Sequence, residues 1–209
     1  EFCTALAQTS LSMSLDEAQL GKTAHEEYLA FNQPFKVDAA VEMAHIVASL
    51  NELIPRDSII TNGAGNFASW VHRFYRYGGF AQGQRTQLAP TNGSMGYGLP
   101  AAVAAKMKFP EKTVIAFCGD GDFMMNCQEL ATSMRYNAYP IVIVVNNGIL
   151  GTIRMHQERE FTHRVIGTEL GNPNFVKLAD SFGMPGYRVT QTAEFGPAFL
   201  KLLQSAKGG

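Results

Sequence analysis

The chain has 209 residues, a formal net charge of −1 and a hydrophobic content of 46%. This length is enough for one well-packed core, and a charge near zero argues against electrostatic binding to nucleic acid. No apolar run reaches the length of a membrane span, and the N-terminus lacks the basic start and long apolar stretch of a signal peptide. The cysteines Cys3, Cys118 and Cys127 lack metal-site spacing. We therefore predict a cytoplasmic protein in which Cys118 and Cys127 are packing residues.

The first 36 residues differ in pattern from the rest of the chain. Residues 1–36 show broken helical periodicity and no strand pattern, and Pro34 lies near their end. We interpret them as the end of an upstream domain followed by a linker. From Val37 the apolar residues recur regularly, so we assign residues 37–209 to one domain.

Apolar strands and amphipathic helices alternate in this second part. Strands are predicted at residues 58–61, 113–117, 140–145 and 187–190. Helices are predicted at residues 37–54, 67–77, 96–109, 128–136, 150–160, 174–182 and 193–206, with a further helix starting near Phe123. Strands that are apolar on both faces and alternate with helices indicate an α/β fold. We predict three layers, α/β/α, around a mostly parallel, doubly wound sheet.

Three of the predicted strands end in polar loops that contain glycine. The loops read TNGAGN (residues 61–66), CGDGD (118–122) and VNNGILG (145–151). In parallel α/β sheets, ligands bind at the carboxyl ends of the strands. The sequence therefore predicts one site formed by all three loops.

Asp120 and Asn147 are the candidate ligands for a cation in this site. A carboxylate oxygen and an amide oxygen suit Mg²⁺, which commonly keeps positions for a substrate phosphate. The helix predicted to start near Phe123 would direct its N–H groups to the same place. Because a second carboxylate would repel phosphate, we interpret Asp122 chiefly as the N-cap of that helix. Gly-Asp-Gly and Asn-Asn are each also typical of plain turns when they occur alone.

The combination of Gly-Asp-Gly and Asn-Asn, with Asp120 and Asn147 27 positions apart, resembles the cofactor motif of thiamine-diphosphate (ThDP) enzymes. Residues 91–106, 121–132 and 145–158 are similar to segments of the acetolactate synthase group. The likeness covers about residues 37–206. It implies ThDP and Mg²⁺ as cofactors and a small-molecule 2-oxo acid as substrate, with FAD possible only in a full-length protein.

The resemblance also implies roles for single residues. It gives as Mg²⁺ ligands the Asp120 carboxylate, the Asn147 side chain and the Ile149 carbonyl. It places near the cofactor diphosphate Gly65, Asn66, Gly121 and Asp122. The Gly93 carbonyl would accept the 4′-amino group of the cofactor, and Met95 would support its bent conformation. By itself, Met95 would equally suit a hydrophobic core.

His156 departs from the pattern of this family. The acetolactate synthases usually have tryptophan at this position, so His156 argues against authentic acetohydroxyacid synthesis. His156 and Arg154 are candidates for contact with a substrate carboxylate. A solvated helix face explains both residues equally well.

The resembled enzymes also contain a pyrimidine-binding domain, which supplies an activating glutamate and is missing from these 209 residues. They normally continue past residue 209 with one more strand. The sequence therefore predicts a C-terminal fragment of a decarboxylase or carboligase that is inactive alone and forms a homo-oligomer. Two alternatives stay open: a separate small subunit, similar to that of two-subunit sulfopyruvate decarboxylases, and a non-catalytic binding module.

Overall fold

The computed structural model describes residues 15–78 and 83–207, and the chain divides into two compact units, residues 1–34 and 35–209. In the first unit, helix α1 (Leu15–Phe31) has exposed side chains from Asp16 onwards. The broken apolar periodicity of this segment therefore corresponds to a helix without a buried face. Its apolar residues do not form one face, yet its alanine, leucine and glutamate residues favour a helix by intrinsic propensity. The earlier part of the predicted upstream segment, with Cys3, lies outside the described residues.

The second unit is a four-stranded sheet covered by helices. The strands are β1 (Ile59–Asn62), β2 (Gln87–Leu88), β3 (Val114–Gly119) and β4 (Ile141–Val145). The helices are α2 (Met43–Leu53), α3 (Ala68–Phe74), α4 (Gly98–Lys108), α5 (Asp120–Met125), α6 (Glu129–Arg135), α7 (Gly151–Glu160), α8 (Phe175–Ser181) and α9 (Thr192–Lys207). The strand order is β2-β1-β3-β4, and every pair in the sheet is parallel.

Strand β3 lies at the centre and is buried along its whole length. Ile115 and Phe117 pack on one face of the sheet against α2, α3 and α9. Val114, Ala116 and Cys118 pack on the other face against α4 and α6. This period of two explains why the strand sequence is apolar at every position. The predicted three-layer α/β/α fold is confirmed, as is the packing role of Cys118; Cys127 also contacts this second cluster.

Two predicted elements differ from the structure. Residues 187–190 form no strand, because only Val189 packs against the core and Thr190 directs its N–H to Glu194 instead of a sheet partner. The helix predicted to start near Phe123 begins at Asp120, since β3 passes directly into α5 at Gly119.

The parallel arrangement places the carboxyl ends of β1, β3 and β4 at one edge of the sheet, as expected from the three polar loops. This edge carries the candidate site described below. Among the described helices, none combines the length and the apolar character that crossing a membrane requires.

Candidate functional site

Asp120 is the central residue of this edge of the sheet. It is the first residue of α5, and only 3% of its surface is exposed. Its Oδ1 accepts a hydrogen bond from the Gly121 N–H at 3.0 Å. Its Oδ2 accepts one from the Gly148 N–H at 2.7 Å and one from Asn172 Nδ2 at 2.7 Å. Three donors thus fix the orientation of this buried carboxylate.

The loop after β4 is held against a second segment of the chain. Leu150 donates to the Thr168 carbonyl at 2.8 Å, and Leu170 donates to the Gly148 carbonyl at 2.8 Å. An antiparallel bridge between Ile149 and Glu169 lies between these bonds. The Gly148 N–H of the same loop bonds to Asp120. The loop after β4 is therefore held by Asp120 on one side and by residues 168–170 on the other.

Asn147 and Ile149 flank the glycine that contacts Asp120. Asn147 Oδ1 accepts from the Ile149 N–H at 3.1 Å, which closes a tight turn within the loop. Gly148 between them has a φ of 72°, a conformation that glycine adopts without steric cost. The structure therefore brings the predicted ligands Asp120, Asn147 and Ile149 to one place.

Asp122 is not an N-cap, so this interpretation of its role is wrong. It lies in the first turn of α5, whose N-cap is Gly119, and it is 2% exposed. Its Oδ1 accepts from the Gly96 N–H at 2.6 Å, while Asn126 Nδ2 donates to the Gly96 carbonyl at 2.8 Å. Both backbone polar groups of Gly96 are therefore tied to α5 or the residue after it.

The surroundings of Asp122 are tight and largely dry. Burial raises the pKa of the Asp122 carboxyl, and the Gly96 N–H opposes this shift. Burial also raises the pKa of the Cys118 thiol well above its usual range, and the charge of the nearby Asp122 carboxylate adds to this shift. On the other side, a Cβ at Gly63 would overlap the carboxylate itself. Asp122 thus contacts the loop after β1 through Gly63 and the loop before α4 through Gly96, and so holds both loops near the end of β3.

Gly121 lies beneath three apolar side chains. A Cβ added there would lie 2.9 Å from Leu150 Cδ2, 3.1 Å from Leu170 Cδ1 and 3.7 Å from Met95 Cε. Met95 is half-buried, and its Cε lies near Gly121. Its side chain is therefore directed to the Gly-Asp-Gly segment and not into the sheet core. Gly93 lies two residues before Met95, in the segment between β2 and α4; it is exposed and has a φ of 69°.

Gly65 and Asn66 lie in the loop after β1, close to α7. The Asn66 N–H donates to Thr152 Oγ1 at 3.1 Å. A Cβ at Gly65 would lie 2.9 Å from the Phe67 ring, which fills the space beside this loop. The Asn66-Phe67 pair therefore packs between the sheet edge and α7.

Arg154 and His156 lie on a helix with no buried residue. Arg154 Nε pairs with Glu158 Oε1 at 2.9 Å, and Arg159 Nη2 lies 3.0 Å from His156 Nδ1. No residue of α7 is buried. These contacts favour the solvated-face interpretation of both residues in this chain.

Sequence reasoning missed several residues of the site: Gly63, Asn126, Thr152 and Asn172. Gly63, Thr152 and Asn172 each approach a predicted residue, and Asn126 bonds to Gly96, next to Met95. Of the four, only Gly63 lies in one of the three loop motifs. The described residues contain no cluster of three or more His, Cys, Asp or Glu side chains suited to a metal. A site made of one carboxylate, one amide and one backbone carbonyl does not form such a cluster. The spacing of the motifs was therefore the only feature of the sequence that indicated this site.

A parallel sheet whose polar, glycine-containing loops meet at the carboxyl ends of adjacent strands defines an α/β ligand-binding domain. Residues 63–208 match the family model described as "Thiamine pyrophosphate enzyme, C-terminal TPP binding domain". The chain therefore belongs to this family of ThDP-binding domains, and the resemblance drawn from the motifs is confirmed.

Similar proteins include several acetolactate synthases. An acetolactate synthase of Arthrospira platensis is 39% identical over 65% of this chain and 23% of that protein. Acetolactate synthase 2, chloroplastic, of Zea mays is 34% identical over 85% of this chain and 28% of that protein. The putative thiamine pyrophosphate-containing protein YdaP of Bacillus subtilis is 33% identical over 77% of this chain and 27% of that protein. The chain spans about a quarter of the length of the curated relatives it matches.

Proposed function

We propose that this chain holds the diphosphate of ThDP through Mg²⁺ in an enzyme that decarboxylates or ligates a 2-oxo acid. The observation that carries the proposal is the buried Asp120 carboxylate, bonded to the Gly148 N–H between Asn147 and Ile149. A second domain, the pyrimidine-binding domain, completes the active site, on the same polypeptide or on a partner. We call that assembly the complete enzyme.

The donor set fits Mg²⁺. Hard divalent cations prefer oxygen ligands, and Mg²⁺ is usually held by one or two carboxylates plus substrate phosphates. Asp120 Oδ1 has a single N–H donor, Gly121, and so keeps capacity for a cation. The Asn147 amide oxygen and the Ile149 carbonyl supply neutral oxygens from the adjoining turn. Asp120 is the one anionic protein ligand of this proposed set, so among the three it attracts the Mg²⁺ charge most strongly.

The neighbouring loops fit the organic part of the cofactor. Leu150, Leu170 and Met95 pack closely on Gly121, which lacks a side chain, and so bring apolar surface to this edge of the sheet. Met95 supplies an apolar support beside it, and the bonds from Asp122 and Asn126 to Gly96 fix the backbone next to Met95. When bound, ThDP supplies the electron sink that decarboxylation of a 2-oxo acid requires. The residues of this chain orient the cofactor and exclude water around it.

The remaining features of the proposal concern the complete enzyme. Its substrate is a small 2-oxo acid, and the named acetolactate synthases among the relatives support a transferase or carboligase activity. Homo-oligomer formation accompanies it, and FAD would bind, if at all, outside this chain. Arg154 and His156 would contact substrate only after leaving their present ion pair and hydrogen bond.

Calorimetry of the complete enzyme tests the metal assignment. Asp120→Ala should abolish Mg²⁺-dependent ThDP binding, because it removes the only anionic protein ligand of the metal. Without the metal, the negative charge of the diphosphate is uncompensated. Asp120→Asn keeps the shape of the side chain and should also bind poorly, which separates charge from packing. Asp180→Ala, on the exposed side of α8, is the matched control and should bind like the parent. Unchanged ThDP affinity in Asp120→Ala would refute the metal assignment.

A further inference from the structure

Asn172 has a side-chain amide nitrogen that is fully engaged at the candidate site. Its Nδ2 donates to Asp120 Oδ2 at 2.7 Å and to Asn146 Oδ1 at 3.0 Å. An amide nitrogen carries two hydrogens, so both are used. Rotating the amide by half a turn would set its oxygen against two oxygen acceptors. The two partners therefore determine which atom of Asn172 faces Asp120.

The backbone around Asn172 holds it at this position. Two residues earlier, the Leu170 N–H bonds to the Gly148 carbonyl. Gly148 in turn donates its own N–H to Asp120 Oδ2. Asp120, Gly148, Leu170 and Asn172 thus form a closed ring of contacts. No member of the ring can shift without straining another contact.

This ring decides which Asp120 oxygen remains available. Oδ2 receives two donors, Gly148 and Asn172, and these occupy both of its acceptor positions. Oδ1 receives only Gly121. A cation that binds without breaking hydrogen bonds is therefore directed to Oδ1. Without Asn172, the carboxylate would lose one of the two donors that hold Oδ2 away from the metal.

We propose that Asn172 is a positioning residue that sets the orientation of the Asp120 carboxylate for Mg²⁺. The inference rests on the proposed function of Asp120 as a metal ligand. Asn172 acts through Asp120 and Asn146 and contributes no ligand of its own. Residues that orient metal ligands commonly change metal affinity by about 10–100-fold when they are substituted. We expect Asn172→Ala to fall in that range.

Metal titration of the complete enzyme with ThDP present tests this inference. Mn²⁺ is used as the probe, since its free concentration can be followed by electron paramagnetic resonance, and Mg²⁺ is then measured by competition. Asn172→Ala should weaken the affinity for both metals by about 10-fold or more. The control is Asn174→Ala, two residues away, which removes the N-cap bonds to Val176 and Lys177. It should lower the unfolding temperature and leave the metal affinity unchanged.

The outcomes separate positioning from stability. Equal metal affinities in Asn172→Ala and the parent would overturn the inference, and so would an equal loss in both asparagine variants. If Asn172→Ala does not fold, Asn146→Ala removes only the second acceptor; a several-fold loss of metal affinity supports the inference and an unchanged affinity refutes it. Asp120→Ala is measured alongside. If that variant binds metal normally, the proposed function fails; if it alone loses metal, only the role of Asn172 fails.

Discussion

Gly63 shows how closely the residues of the site approach one another. It follows β1 directly, and its Cα faces the buried carboxylate of Asp122. That carboxylate cannot retreat easily, because it is bonded to the Gly96 N–H at 2.6 Å and surrounded by core. The requirement for glycine at this position is therefore steric and does not come from an unusual φ.

Gly63→Ala should destabilise the chain by about 3 kcal/mol, at the upper end of the usual cost of overpacking. The added methyl group would overlap Asp122 and break its bond to Gly96. Urea unfolding measures the difference. Gly196→Ala in α9 is the control: a Cβ there meets open space, and the change should stabilise the helix by about 0.5–1 kcal/mol. Equal unfolding midpoints for Gly63→Ala and the parent would contradict the steric explanation.

At the scale of the element, helix α9 (Thr192–Lys207) has an acidic residue, Glu194, in its first turn that bonds back to the residues before the helix. Glu194 Oε2 accepts from the Thr190 N–H at 2.7 Å and from the Gln191 N–H at 3.0 Å. These bonds satisfy the N–H groups of the two residues that precede the helix, as the glutamate of a capping box does. The hydrogen bonds favour the charged carboxylate, so they lower the pKa of Glu194.

The stabilising effect of Glu194 should depend on pH. Because its pKa is lowered on folding, the effect is fully present above the usual glutamate pKa of about 4.3 and is lost as the pH falls through the lowered value. Glu194→Gln should therefore reduce the free energy of unfolding at pH 7 and have little effect in stronger acid. Glu27→Gln, on exposed α1, should have no effect at either pH. A Glu194→Gln difference that stays constant with pH would disprove the charge-based explanation.

The helices and strands that were predicted correctly are those in which burial imposes a regular spacing of apolar residues. Strands β1, β3 and β4 are apolar on both faces, and helices α7 and α8 lie within a residue of their predicted ends. Strand β2 has only two residues, too few for any periodicity. Helix α1 has no buried face, so propensity alone could have indicated it. The strand expected at 187–190 failed because alternating side chains do not show whether a partner strand is present.

Residues of the site could be predicted from the sequence only where a polar side chain directly follows a strand. Asp120 and Asn147 were found because each begins the loop after an apolar strand. Asn172 was not, since it meets Asp120 across 52 positions and its local sequence indicates only the start of α8. Asp122 was misassigned because helix α5 starts three residues earlier than expected. Through-space contacts of this kind leave no pattern in a single sequence.

At the scale of the whole molecule, apolar side chains are exposed on and after helix α7. None of the ten residues of α7 is buried. Ile153 and Met155 are exposed within it, and Phe161 and Ile166 follow, with Ile166 80% exposed. Large exposed apolar side chains that recur along one segment are candidates for an interaction site. The same helix contacts the candidate site through Thr152.

We expect the purified chain to form dimers or larger species through this surface. Light scattering coupled to size exclusion measures the mass. The double variant Ile153→Gln/Met155→Gln should shift the population towards monomer, because it removes apolar area that association would bury. Leu200→Gln, at a similarly exposed position on α9, should leave the mass unchanged. A parent chain that stays monomeric at high concentration would contradict the expectation.

The long sequence separations within the site have a consequence for folding. Asp120 bonds to residues 28 and 52 positions away, and Asp122 to one 26 positions away. Such contacts form only after the intervening chain has folded back, and their loop-closure entropy slows folding. The unfolded chain therefore has no affinity for the cofactor through these groups. ThDP at 100 times its dissociation constant would then stabilise the native state by about 2.7 kcal/mol. The supply of ThDP would therefore influence how long the protein stays folded in a cell.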